Sequence, residues 1–333
     1  MNIMDICGQK FTIKDTFDTP ITVPDCIVVA PNKLGTGHGE AKLYITSKDR
    51  MREFYGGEGF DAKCFILKKD LITYMQAMKS EYLHPSQEYK GRNDFAKLWE
   101  ERMKKIAALD DIIEFNIQDQ TQIEGPRGYV NSSDQGYKLI RELSLPLVSY
   151  ISAMELSDAH NNPVYYWKLF ADFEAISDKA NATVFRYGKK EKQEVKNLKE
   201  RNEEKKENEL RQARIGQGLY REKLLNECPF CPITMINDER LLIASHIKPW
   251  AVADNSEKID PKNGFILSPL YDKLFDRGFI TFTDERRVKI SNWLSPQNQK
   301  RIGLKNDDFF QLLPMDEERK KYLEYHRNYV FKG

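Results

Sequence analysis

Residues 240–283 read RLLIASHIKPWAVADNSEKIDPKNGFILSPLYDKLFDRGFITFT. The stretch opens on an apolar run that ends in His246, and Pro249 turns the chain just beyond it. A polar loop leads to Asn263-Gly264, a dipeptide that marks a turn. GFILS follows as an apolar strand. PLYDKLFDRG (269–278) has Pro at its first position and Gly at its end, which marks a short helix. FITFT (279–283) and RVKIS (287–291) form a terminal hairpin. Upstream, GQGLYREKLL (216–225) reads as a helix. CPFCPIT (228–234) reads as the turn into a short hairpin whose second arm is RLLIASHI (240–247).

The residue types in this stretch suit phosphodiester hydrolysis. Such chemistry needs a base to deprotonate water, a divalent cation to hold the phosphate and the leaving oxygen, and a scaffold that fixes the base. A histidine titrates near neutrality, so His246 suits the base. Carboxylates suit a hard cation such as Mg²⁺, which prefers oxygen ligands and keeps several waters. Asp276 follows Asp272 by four residues, so on a helix the two share one face and can point at one cation. Taken alone, a histidine after an apolar strand is ordinarily structural. The ordered set of His246, Asn263 and Asp272 is what carries the reading.

IASHIKPWA, NGFILSPLYDKLFDRGFITF and the later YLEYHRNYVF together resemble the HNH, or ββα-metal, nucleases, in particular those of many bacterial restriction endonucleases. The resemblance covers roughly the last third of the chain. It implies a ββα-metal module with His246 as general base and Asn263 holding the loop that orients it. It implies Asp272 as metal ligand, Asp276 as a second candidate, and Ser245 where many relatives place a metal-binding Asp or His. Mg²⁺, or another divalent cation such as Mn²⁺, is the implied cofactor, and double-stranded DNA the partner. Lys248, Arg277 and Arg327 are candidate DNA contacts. For Arg327 the alternative is that Tyr322, Leu323 and Tyr325 pack the tail onto the module. A single nuclease constellation cuts one strand per engagement, so a homodimer on DNA is expected.

Cys228 and Cys231 form a CxxC pair. A structural zinc is not expected, because a tetrahedral site needs four ligands and no second pair follows. The remaining cysteines, Cys7, Cys26 and Cys64, are scattered, which does not suggest a disulfide framework. The chain has 52 Lys and Arg against 51 Asp and Glu, so net charge gives no support to a nucleic-acid partner. No run is long and apolar enough for a membrane span, and no secretory leader is legible, so a cytoplasmic protein is expected.

The fold class is α+β, in three parts. Residues 1–187 are expected to form a mixed α+β domain that recognises DNA, 188–214 a charged linker or helix, and 215–333 the HNH nuclease domain that the resemblance implies. The linker is KKEKQEVKNLKERNEEKKENELRQAR (189–214), almost wholly charged or amide. In the first part CIVVA (26–30), KLYIT (42–46), DIIEFNI (111–117) and ATVFRYG (182–188) read as strands, and DFAKLWEERMKKIAAL (94–109) as an amphipathic helix. KCFILKKDLITYMQAM (63–78) fits strand or helix. Pro24-Asp25 with Glu40-Ala41-Lys42 partly matches the PD…ExK pattern of another nuclease class. However, Glu40 follows the loop GTGHG, where that class has an apolar strand. GTGHGE (35–40) and EGPRGY (124–129) are candidate DNA-facing loops. Other readings are a nicking or structure-specific nuclease, and a DNA-binding regulator with an inactive HNH module.

Overall fold

The computed structural model describes residues 3–17, 21–23, 42–85, 95–121, 125–145, 148–173, 185–186, 189–190 and 218–333. The chain forms two compact units, Met1–Ala182 and Thr183–Gly333. Both mix helices with strands. No described helix is long and apolar enough to cross a membrane.

The first unit is built on one mixed sheet. Its strands are β1 (Ile3–Ile6), β2 (Gln9–Thr16), β3 (Ile21–Thr22), β4 (Leu43–Ser47), β5 (Asp61–Leu67), β6 (Ile112–Asp119), β7 (Arg127–Asn131), β8 (Ser149–Ser157) and β9 (Pro163–Ala171). They lie in the order β1-β2-β8-β9-β5-β6-β7-β4, with β3 beside β8. Only β5 and β9 run parallel. Between them come α1 (Lys48–Tyr55), α2 (Lys68–Ala77), α3 (Lys79–Leu83), α4 (Phe95–Ala107) and α5 (Gln135–Leu143).

The stretch 63–78, open to either reading, is both. The strand runs to Leu67, and the helix begins at Lys68, whose N–H donates to the Asp111 carbonyl. In α4 Phe95, Leu98 and Ile106 are buried as expected. Arg102 is buried too, hydrogen-bonded to the Tyr82 hydroxyl. The expected strand 26–30, the Pro24-Asp25 and Glu40 positions and the GTGHGE loop lie outside the described residues. So does the charged linker, apart from the two-residue pairing of β10 (Phe185–Arg186) with β11 (Lys189–Lys190).

In the second unit the β10–β11 pair is followed, among the described residues, by a helix at 218–227, α6. Then come β12 (Ile243–His246), β13 (Gly264–Leu267), α7 (Pro269–Asp276), β14 (Ile280–Phe282), β15 (Val288–Ile290), α8 (Pro296–Arg301) and α9 (Glu317–Tyr325). One expectation needs correction. The partner of β12 is not the CPFCPIT segment but β13, paired from Ile243↔Leu267 to His246↔Gly264. Pro229 and Pro232 have no N–H to give a ladder, and residues 228–235 form turns instead. The polar loop is therefore enclosed within the hairpin, and the order is strand, loop, strand, helix. The helix at Pro269 and its Gly278 end, at φ 66°, fall where expected. The β14–β15 hairpin does as well.

The core of this unit gathers Tyr220, Leu224, Leu242, Phe265, Phe275, Phe282 and Leu323. Both CxxC thiols are buried in the turn. Cys228 Sγ lies 3.2 Å from the Phe230 carbonyl and Cys231 Sγ 3.8 Å from Ser268 Oγ.

Candidate active site

Alternation along β12 sends neighbouring side chains to opposite faces of the hairpin. Ser245 shares its face with Phe265, its cross-strand partner, whose ring packs 5.9 Å from that of Phe275 on α7. Ser245 therefore lies on the face that packs against the buried side of α7. Its hydroxyl is buried and has no hydrogen-bond partner among the described residues. Asp272 is half-buried and Asp276 exposed. Among the described residues no three His, Cys, Asp or Glu side chains converge as a metal-ligand group.

His246 emerges on the other face, half-buried, at the strand end. Its Nε2 lies 3.0 Å from the Lys258 carbonyl. A carbonyl can only accept, so this contact assigns the proton to Nε2 and leaves the lone pair on Nδ1. Burial pushes the imidazole below its ordinary pKa. The Lys258 charge adds to this, while the bond to the Lys258 carbonyl opposes it. The ring is thus neutral at neutral pH, as a proton acceptor must be.

Asn263 explains why that carbonyl is in place. It is fully buried, and its Oδ1 accepts the Lys248 N–H at 2.7 Å. Its Nδ2 donates to the Glu257 carbonyl at 3.0 Å and to the Lys248 carbonyl at 3.3 Å. One amide thus clasps both ends of the loop, next to the residue that bonds His246. An exposed amide would leave this loop to its own entropy.

Tyr220, on α6, was missed in the sequence. Its ring stacks on His246 with centroids 4.2 Å apart and planes 11° from parallel. Its hydroxyl donates to the Asn263 carbonyl at 2.9 Å and reaches the Ser245 carbonyl at 3.4 Å. A Cβ on Gly264 would sit 1.9 Å from that hydroxyl. The Asn-Gly pair therefore marks a close approach, with Gly264 in extended backbone. The one signal available was the tyrosine on the inner side of an amphipathic helix, which ordinarily means core.

Trp250 meets His246 edge-on, with centroids 5.4 Å apart. Tyr220→Phe keeps the stack and loses only the hydroxyl bonds, so if His246 serves as the base that the sequence resemblance implies, kcat should fall roughly fivefold. Tyr220→Leu frees the ring and should cost about a hundredfold in kcat at nearly constant KM. Equal kcat in the two variants would contradict a role for the stack.

The candidate DNA contacts are not alike. Lys248 Nζ is held by both Glu257 carboxylate oxygens, at 2.7 and 2.6 Å. Arg327 donates to the Phe282 carbonyl and to Asp284, each at 3.0 Å. Arg277 sits half-buried just after α7. Arg319, also unforeseen, is fully buried. It donates to the Gly264 and Pro261 carbonyls and to Glu227 and Asp316.

No curated protein matches the chain significantly. The family model described as HNH endonuclease matches residues 231–283, the span that holds the CxxC turn's second cysteine, the hairpin with His246 and Asn263, and helix α7. These residues of the chain are an HNH endonuclease domain.

Proposed function

We propose that the protein is a metal-dependent DNA endonuclease in which His246 is the general base. The observation that carries the reading is the His246 ring itself. It is fixed on one face by Tyr220 and at Nε2 by the Lys258 carbonyl, and among the described residues its Nδ1 makes no hydrogen bond. In this reading Nδ1 takes the proton of the attacking water. Asn263 acts through the loop and holds the Lys258 carbonyl that sets the tautomer.

The residues suit a hard divalent cation in one respect. The Ser245 hydroxyl is buried without a hydrogen-bond partner among the described residues, and Asp272 and Asp276 lie four residues apart on α7. Asp272, with Asp276 and Ser245 as further candidate ligands, would hold Mg²⁺ or Mn²⁺, and waters and phosphate oxygens would complete the shell. Such an ion supplies charge stabilisation for the phosphate and the leaving oxygen. The biological role proposed is restriction of foreign DNA in the cytoplasm, with the first unit selecting the site and two copies pairing to cut both strands.

The test is incubation of the purified chain with modified and unmodified plasmid, with Mg²⁺ and with EDTA. EDTA should stop cleavage. Asp272→Ala should lose about a hundredfold or more, and Asp276→Ala less, because Asp272 is the more buried carboxylate. Cleavage that persists in EDTA, or greater sensitivity at Asp276, would overturn the ligand assignment. Double-strand breaks from a strict monomer would overturn the pairing, and equal cutting of both plasmids would count against restriction. No cutting under any condition would favour a regulator with an inactive module.

A further inference from the structure

The charged side chains of the loop between β12 and β13 are nearly all spoken for within the protein. Lys248 is paired with Glu257. Asp254 accepts from the Ser256 hydroxyl and backbone and from the Glu257 N–H. Asp260 accepts from the Lys262 N–H and the Tyr322 hydroxyl. Lys262 is paired with Glu227 and Asp316. Lys258 is different. Its ammonium has no carboxylate partner among the described residues, and it lies over the Trp250 ring, 5.3 Å from the centroid. That ring touches His246, and the Lys258 carbonyl bonds His246 Nε2. The loop thus presents one uncompensated positive charge beside the imidazole, on a half-buried lysine whose head group rests on an indole.

An ammonium in that position suits a phosphate oxygen. It is a point charge with three donors and no anion to satisfy it, next to the group that would act on a phosphodiester. The sequence named Lys248 for this task, but that side chain is taken by Glu257. We propose that Lys258, seated on Trp250, contacts a non-bridging phosphate oxygen of the DNA backbone at or beside the bond that is cut. This inference rests on the nuclease reading of the site.

The test uses the full chain carrying His246→Ala, so that DNA is bound and not consumed. The probe is a fluorescent duplex of arbitrary sequence, titrated over a range of salt. Each phosphate contact adds about 0.9 to the slope of log affinity against log salt. Adding Lys258→Met should lower affinity roughly three- to tenfold at about 0.1 M salt and reduce the slope by about one. The methionine keeps an apolar stem on Trp250, and Lys258→Arg should restore the slope. An unchanged slope and affinity in the Met variant, with normal salt-dependent binding by the parent, overturns the assignment and leaves the nuclease reading standing. A parent with no salt-dependent DNA binding overturns both.

Discussion

Replacing His246 by alanine should lower the rate of DNA cleavage by about 10²–10⁴-fold, the usual worth of a positioned general base. DNA binding and the folded structure should persist. The ring is half-buried at the end of β12, and among the described residues no other side chain depends on it for a hydrogen bond. Its Nε2 proton goes to the Lys258 carbonyl, which faces partial solvent once the ring is gone. His246→Gln should be nearly as inactive, because an amide can bond that carbonyl but cannot take a proton at neutral pH. The check is single-turnover cleavage of a labelled duplex, with binding measured in parallel. Cleavage within threefold of wild type in either variant would remove His246 from the reaction.

The largest effect on stability is expected at Arg319. Its guanidinium is fully buried against the Phe265 ring, 5.6 Å from the centroid. It joins α9 to the start of β13 through Gly264, to the loop through Pro261, and to α6 through Glu227. Burial pushes the Glu227 carboxyl up, but hydrogen bonds from Arg319 and Lys262 outweigh it and hold the group below its usual range. Arg319→Met keeps the apolar stem and strands those acceptors. Glu227 and Asp316 keep Lys262, so the cost comes from the stranded Gly264 and Pro261 carbonyls and the lost bonds to the carboxylates, about 2–3 kcal/mol. Arg319→Lys should recover little, since a lysine lacks the planar fork that reaches several acceptors at once. Urea denaturation of the full chain, followed by loss of DNA cleavage, reads this out. A midpoint shift corresponding to less than about 1 kcal/mol would contradict the clasp.

The sequence displayed the parts of the site that sit on regular elements and hid those that come together through space. His246, Asn263 and Asp272 announce themselves by order and spacing, and α7 by its Pro and Gly ends. Local pattern favours the nearest turn as the partner of β12, whereas the ladder forms with β13, across the loop that Asn263 clasps. Tyr220 and Arg319 were silent, because one reads as a core aromatic and the other as a charge on a polar helix. Their roles follow from approach to Gly264, which no local signal encodes.

The two C-terminal histidines make the same point. His326 stands in a motif as suggestive as that of His246. Yet it is buried, stacked on Phe275 at 3.9 Å, with Nδ1 bonded to the Thr281 hydroxyl and Nε2 to the Phe275 carbonyl. Burial pushes its pKa down to about 3. Both nitrogens are occupied, so it is structural, and only the surroundings distinguish it from a base. The sequence pointed to Lys248 and not to Lys258, and only the surroundings separate them: Lys248 is paired with Glu257, whereas Lys258 rests on Trp250.

The central claim is that His246 turns a water molecule on a DNA phosphate. Cleavage in ¹⁸O-labelled water, limited to a single turnover in the presence of Mg²⁺, tests it most directly by mass spectrometry of the cut ends. The account predicts one labelled oxygen on each new terminal phosphate, with no product from the His246→Ala chain over the same interval. Uncut DNA, or terminal phosphates without label, would contradict it.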